Sequence, residues 1–267
     1  MITELKYSNT NTYIIEGERG KILFDTGWAG TFPAFCKALG DVHISAQEID
    51  YILISHFHPD HMGIAQEIAS LGPTIIVVDV QQPFIHSADC IFEKEKKTHF
   101  LPINEEEIKI VSTEESRLFL QEVGIHGEII YTPGHSEDSI SLWLDEGSLF
   151  VGDLNPLYEL EMHKGTQIEE SWKKLLALKP EKIYYGHART AILNNRYNET
   201  VMAEDKSEVH VLVKRIMKYI DKGCTLEKIR KKTGADEEFI EDVTRMYLTH
   251  QNVGVQGILD RIEIKGK

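Results

Sequence analysis

Four apolar stretches of this chain run straight into side chains that bind metal ions. ILIS, residues 52–55, is followed by HFHPDH at 56–61. EIIYTPGH ends at His135, SLFVGD at Asp153 and KIYYGH at His187. Short apolar runs bounded by turn residues read as buried β-strands. Strands that all end this way constrain the fold. Strand ends along one edge of a sheet converge in space, and α/β folds place their sites at that edge. Gly134, Gly152 and Gly186 stand immediately before His135, Asp153 and His187, where they allow tight turns and close approach of backbone to an ion.

The rest of the chain supports such an architecture. NTYIIEGERGKILFDTG has two apolar runs around Gly17–Gly20 and predicts a hairpin. AGTFPAFCKALG predicts a short helix ending at Gly40. Ser45 followed by Glu48 has the form of a capping box and leads into the strand IDYILIS. HMGIAQEIASLG has helical spacing with a glycine stop, and TIIVVD reads as another buried strand. SISLWL and SLFVGD, joined by Asp-Glu-Gly, predict a second hairpin, and QIEESWKKLLALKP an amphipathic helix. Residues 81–105 mix a short helix with a charged loop just past a strand end, a place where enzymes carry lids. Beyond about Val201 the pattern becomes three helices and then a strand, GILDRIEI. The expected organisation is therefore a main domain over 1–200 and a small helical, winged-helix-like extension over 201–267, serving as a structural cap or dimer element.

Composition narrows the partners. The 267 residues are 42% hydrophobic, enough for a full core, with no apolar run of membrane-spanning length. MITELKYSNT lacks the basic and apolar regions of a signal peptide, so a cytoplasmic protein is expected. Cys36, Cys90 and Cys224 are widely spaced, form no C-x-x-C pair and are expected to be buried thiols. The net charge of −14 divides into −16 over residues 1–204 and +2 beyond them. So acidic a body repels phosphate backbones, which favours a small-molecule substrate over nucleic acid or a membrane. A homodimer is left open.

His-x-His and Asp-His together put four donors, His56, His58, Asp60 and His61, on one loop. Imidazole nitrogen and carboxylate oxygen suit zinc, iron, manganese or cobalt. In this order, H-F-H-P-D-H, T-P-G-H, G-D and G-H, with ILFDTG earlier, the chain resembles the metallo-β-lactamase-fold hydrolase superfamily over about residues 10–190. The resemblance implies an α/β (α+β) fold, a four-layer αββα sandwich with metals at one edge of its two sheets. It implies a first ion on His56, His58 and His135, a second on Asp60, His61 and His187, and Asp153 bridging both. The implied cofactors are two divalent ions, zinc foremost, with iron or manganese as alternatives. The implied activity is hydrolysis by a hydroxide shared between the ions, with Asp60 orienting it as the catalytic residue.

Substrate class follows by subtraction. A secreted β-lactamase needs a signal peptide, and a tRNA-processing enzyme needs a basic surface. A flavin-linked di-iron oxidoreductase carries Glu where His58 stands, together with a flavodoxin-like domain. A small ester, lactone or thioester remains. The alternatives are a phosphodiesterase or nuclease using residues 201–267 to hold nucleic acid, a mononuclear-iron oxidative enzyme, or a low-turnover metal-binding regulatory protein.

Other residues carry weaker signals. Asp25 in FDTG is expected to support the site by hydrogen bonds. Ser55 and Ser136 flank donors, as supports or as turn residues. Tyr158, His163 and His86 lie where side chains can reach substrate but read first as ordinary loop residues, and Arg189, placed to hold a substrate anion, reads more simply as a surface ion-pair partner. His43, His99, His126, His210 and His250 have no partner in sequence and are taken as structural.

Overall fold

The structure, a computed structural model, describes residues 1–95, 98–193 and 208–244 apart from 238 and 242. The chain divides into two compact units. One comprises Met1–Pro156 and Leu160–Leu193; the other comprises 157–159 and the residues beyond 193.

The first unit holds two sheets. Strands β1 (Ile2–Leu5), β2 (Thr12–Glu16), β3 (Lys21–Phe24), β4 (Tyr51–Leu53), β5 (Thr74–Val78) and β6 (Lys109–Val111) lie side by side in that order. β1 to β3 are antiparallel, with the expected hairpin between β2 and β3; β3 to β6 are parallel. The second sheet has the order β11-β10-β9-β8-β7, from β7 (Gly127–Tyr131), β8 (Ile140–Leu144), β9 (Ser148–Phe150), β10 (Lys182–Tyr184) and β11 (Ala191–Ile192). β8 and β9 form the second predicted hairpin, and β10 runs parallel to β9.

Side-chain alternation explains the layers. Tyr13, Ile15, Ile22, Phe24, Leu53 and Ile76 leave one face of the first sheet and pack with Ile129, Ile140, Leu142 and Phe150 of the second. Ile14, Leu23, Ile52, Ile75 and Val77 leave the opposite face. They pack with Phe35 and Leu39 of helix α1 (Phe32–Asp41) and, further along, with Met62 and Ile68. Both faces being buried, these strands read as continuous apolar runs. The layers make the αββα sandwich.

Some elements differ from expectation. The helix predicted over HMGIAQEIASLG is two pieces, α2 (Pro59–Met62) and α3 (Ala65–Ala69). The break falls at Gly63, where a Cβ would stand 2.4 Å from the Ala29 nitrogen and 2.8 Å from the Gly27 oxygen. The chain is pressed there against the loop that follows β3. Within 81–105, the described residues include the short helix and pack in part on the body. A 3-10 turn (Asp79–Phe84) and α4 (Asp89–Lys94) bury Ile85, Ala88 and Phe92, and Phe92 stacks on Phe100 at 4.2 Å. The cysteines are not buried: Cys36 and Cys90 are exposed and Cys224 is half-buried, all as free thiols. Cys36 sits on the side of α1 away from Phe35, Ala38 and Leu39, so the apolar face of the helix excludes it.

Two further helices complete the first unit, α5 (Ser116–Val123) and α6 (Gln167–Ala177). α6 buries Ile168, Ser171, Trp172 and Leu175 at helical spacing. In the second unit, α7 (Glu208–Asp221) and α8 (Leu226–Thr233) share a small core of Val213, Ile216 and Ile229 with Ile240 and Val243. The predicted strand GILDRIEI and His250 fall outside the described residues, as does the side chain of His210. Among the described residues, no helix is long and apolar enough to cross a membrane.

Candidate metal centre

Each predicted donor stands just past a strand end, and the structure brings all of them to one edge of the sandwich. His56 and His58 follow β4, and His58 caps α2, whose first turn carries Asp60 and His61. His135 follows β7, Asp153 follows β9 and His187 follows β10. Three sets have donor atoms within 4.8 Å of one another: His56, His58 and His135; His56, His61 and Asp153; Asp60, His61 and His187.

Asp153 lies between the first and last of these sets. Its Oδ1 is 3.2 Å from His61 Nε2. Its Oδ2 is 3.6 Å from His135 Nε2 and 3.5 Å from His187 Nε2. Asp60 Oδ2 is 2.9 Å from His187 Nε2, and His58 Nδ1 is 3.1 Å from His135 Nε2.

The residues fit divalent ions on an observation independent of any motif. His56 Nε2 is buried with no hydrogen-bond partner, and His61 Nε2 and Asp153 Oδ1, 3.2 Å apart, are buried with no partner but each other. A buried polar atom left unsatisfied costs about 1–3 kcal/mol. Three buried atoms aimed into one place are what cations would relieve. The opposite ring nitrogens are occupied: His61 Nδ1 lies 2.9 Å from Asp25 Oδ2, His56 Nδ1 3.0 Å from Ser55 Oγ, and His187 Nδ1 2.9 Å from the Asn9 carbonyl. Such partners turn the other nitrogen into a lone-pair donor.

The electrostatics agree. Burial pushes His56 well below the ordinary histidine value, reinforced by His61, and burial also lowers His135. Neutral imidazole is the metal-binding form. Burial opposes ionisation of Asp153, but His61 and His187 hold it well below the usual carboxylate range. His61 moves the other way: burial works against its charge, yet Asp25 and Asp153 outweigh burial and raise it. In the absence of an ion, protons are drawn to a place that has surplus negative charge for a cation.

Close backbone approach depends on two glycines. A Cβ on Gly152, whose φ is +53°, would stand 2.4 Å from Ser55 Oγ. A Cβ on Gly186 would stand 2.6 Å from Asp153 Oδ1 and 2.8 Å from His61 Cε1.

Several supports carry no motif signal. Asp138 accepts a 2.6 Å hydrogen bond from the Phe57 backbone, fixing the HFHPDH loop from the second sheet. Gln81, fully buried, donates to the carbonyls of Ile54 and Asp138 at 3.0 and 3.1 Å. Thr26 Oγ1 donates to the His61 carbonyl, and Thr10 Oγ1 to that of Asp60, both at 2.8 Å. Asn11 Nδ2 donates to the carbonyls of Tyr185 and Ala188 on either side of His187. Ser171 Oγ donates to the Pro133 carbonyl ahead of His135. Their one sequence signal is position: Gln81 and Asp138 are polar residues a few places past a strand.

The weaker candidates resolve differently. Asp25 is fully buried, and it supports His61 and Ser55 as expected. Ser136 pairs with Ser139 at 2.6 Å and is a turn residue. His86 sits between Asp89 and Glu105 at 2.8 and 3.0 Å, tying the segment to itself on the surface. The His163 carbonyl accepts from Thr166 Oγ1 at 2.6 Å within a loop. Arg189, His43, His99 and His126 are exposed and belong to none of the donor sets among the described residues. The side chain of Tyr158 lies outside the described residues.

Residues 6–187 match the family model of the metallo-beta-lactamase superfamily. The chain belongs to this superfamily. It is 30% identical over 189 residues to beta-lactamase-like protein 2 homolog of Drosophila melanogaster, an alignment covering 67% of this chain and 58% of that one. The chain thus spans less than two thirds of that relative's length. Among solved structures it resembles a metallo-beta-lactamase family protein of Thermus thermophilus, with a TM-score of 0.55 at 19% identity, covering 80% of this chain and 81% of that one. A second, TTHA1623 solved in a di-iron-bound form, has a TM-score of 0.53 at 22% identity, covering 72% of this chain and 94% of that one. At these identities the structural likeness concerns the superfamily fold. The chain thus has the superfamily fold, with a His/Asp cluster suited to metal at one edge of it.

Proposed function

We propose that the chain is a dinuclear metal-dependent hydrolase acting on a small ester, lactone or thioester. The observation that carries this reading is the position of Asp153. One carboxylate reaches toward His135 of one donor triplet and toward His61 and His187 of the other. His56, His58 and His135 would hold one divalent ion, Asp60, His61 and His187 a second, and Asp153 both. Five imidazoles and two carboxylates form a nitrogen and oxygen donor set suited to zinc, and iron or manganese are its competitors. The di-iron form of the structural relative keeps iron in contention. When bound, two such ions supply a hydroxide near neutral pH and polarise the oxygen of the scissile bond.

The chain's own residues do the rest. Asp60 Oδ2, 2.9 Å from His187 Nε2, is held ionised: burial opposes this, but the His187 bond lowers its pKa. As a carboxylate it can orient the attacking water by accepting a hydrogen bond from it. His58, Asp60, His135, Asp153 and His187 are the part-exposed donors, with His187 the most open at 36% of its side chain, so substrate enters from their side. The charge of −16 over residues 1–204 favours a small substrate over a polyanion. We assign catalysis to residues 1–200 and treat 201–267 as an appended unit.

The test is elemental analysis of protein purified without added metal, together with turnover of a lactone, a thioester and a phosphodiester. Two metals per chain and hydrolysis of the lactone or thioester, abolished by chelator and restored by zinc, is the expected result. One iron or none, without hydrolysis, overturns the proposal. Cleavage of the phosphodiester alone replaces the substrate class.

A further inference from the structure

Behind the donors, one carboxylate touches both halves of the centre. Asp25 is fully buried and holds φ +61°, a strained value for a residue with a side chain. Its Oδ1 accepts the Ser55 backbone N–H at 2.7 Å. Its Oδ2 accepts the Ser55 hydroxyl at 2.9 Å and lies 2.9 Å from His61 Nδ1. The Ser55 oxygen in turn lies 3.0 Å from His56 Nδ1.

The proton count makes this a chain of consequences. A carboxylate only accepts, so His61 must carry its proton on Nδ1 and the Ser55 hydroxyl must point at Asp25. A hydroxyl has one proton. With that proton given to Asp25, Ser55 can only accept from His56, so His56 is also protonated on Nδ1. With Nδ1 so occupied, each ring has Nε2 left to offer an ion: His56 Nε2 is buried without a partner, and His61 Nε2 is buried 3.2 Å from Asp153 Oδ1, whose proton an ion would displace.

We propose that Asp25, with Ser55 as its relay, is a positioning residue that fixes the metal-binding tautomer of one histidine in each donor triplet, and so couples the two ion sites. This rests on the dinuclear reading above. It extends that reading by making occupancy of both sites answer to a single side chain.

Asp25→Asn tests it with almost no change of shape. The Ser55 N–H requires the Asn oxygen, which turns the amide NH2 toward Ser55 Oγ and His61 Nδ1. Each hydrogen bond then reverses. Ser55 accepts from the amide and donates to His56 Nδ1, His61 Nδ1 accepts, and both rings are left with a proton on Nε2 alone. Nitrogen-15 spectra of histidine-labelled, metal-free full-length chain at neutral pH read the tautomers. Zinc titration against a chromophoric chelator reads two stepwise affinities.

In the metal-free wild type, His56 is expected as Nδ1–H, and His61 keeps its Nδ1 proton toward Asp25 while also carrying one on Nε2, which lies 3.2 Å from Asp153 Oδ1. In Asp25→Asn both rings carry a proton on Nε2 alone, and both zinc steps weaken about 10–100-fold. In Ser55→Ala only His56 loses its fixed tautomer and only one step weakens. Adding Asp25→Asn to Ser55→Ala then affects the other step alone. A folded Asp25→Asn protein that keeps both Nδ1 protons, or weakens one step only, overturns the coupling. If that variant does not fold, an unchanged His56 tautomer in Ser55→Ala overturns it. A wild-type chain that takes up fewer than two zinc ions overturns the dinuclear reading itself, a result distinct from all of these.

Discussion

The two sheets contribute to the centre in different ways. The donors after β4 include His56 and His61, exposed by 1% and 0%, and each is backed by a side chain, Ser55 or Asp25. Two donors of the second sheet are more open: the side chains of His135 and His187 are exposed by 27% and 36%, against 14% for Asp153 between them. His187 is backed by a neutral backbone carbonyl, that of Asn9. A charged acceptor in a dry interior holds its partner tightly and costs most when the partner is lost. A carbonyl at the surface does neither. The first sheet therefore supplies a rigid floor, and the second a rim shaped by loops and open to substrate.

The largest expected effect separates floor from rim. His61→Ala leaves Asp25 buried with its charge-assisted partner gone. It should destabilise the metal-free protein by about 3–5 kcal/mol in a urea melt. His187→Ala removes a part-exposed ring and should cost no more than about 1 kcal/mol in the same measurement. Both should lose hydrolytic activity, since each removes a donor. Equal destabilisation by the two substitutions would erase the distinction between floor and rim.

The same division decides what could be read from the sequence. The seven donors are visible because each follows an apolar run directly, and because His56, His58, Asp60 and His61 share one loop. Asp25 was visible through FDTG, although its link to Ser55 was not. Asp138, Gln81 and Asn11 were not visible. They act on backbone amides or carbonyls of segments far away in the chain, and no spacing rule records which carbonyl a side chain will meet after folding. The sheets were legible from apolar runs, whereas the break at Gly63 was not. It depends on the loop at Gly27–Ala29, which only the tertiary fold brings near. The exposed cysteines show the limit of composition: thiols are commonly buried, but the apolar face of α1 was already filled.

A smaller effect should sharpen the view of the floor. Gly152→Ala places a methyl group 2.4 Å from Ser55 Oγ at φ +53°. Strain and overpacking together predict a loss of about 1–3 kcal/mol, with displacement of Ser55 and with it His56. The metal-dependent part of the thermal stabilisation should fall as well. Gly40→Ala, inside α1 where an added Cβ meets nothing within 4 Å, is the control: it should not lower stability and should leave the metal-dependent part unchanged. Metal binding unaffected in folded Gly152→Ala protein would show that the floor tolerates movement.

The smallest effect belongs to the rim. Asn11 uses one amide nitrogen to hold the carbonyls of Tyr185 and Ala188, at 3.0 and 2.9 Å, and so brackets His187. Both bonds are part-buried, so Asn11→Ala should cost only about 1 kcal/mol of stability. Its consequence for function should be larger than that figure suggests, because the freed loop carries a donor. Weaker retention of one metal, with the other step of the titration unchanged, is the expected outcome. The contrast with Asp25→Asn, which should weaken both steps, is what distinguishes a loop brace on the rim from a carboxylate beneath the floor. If Asn11→Ala weakened both steps equally, the rim would have to be counted as part of the same rigid unit.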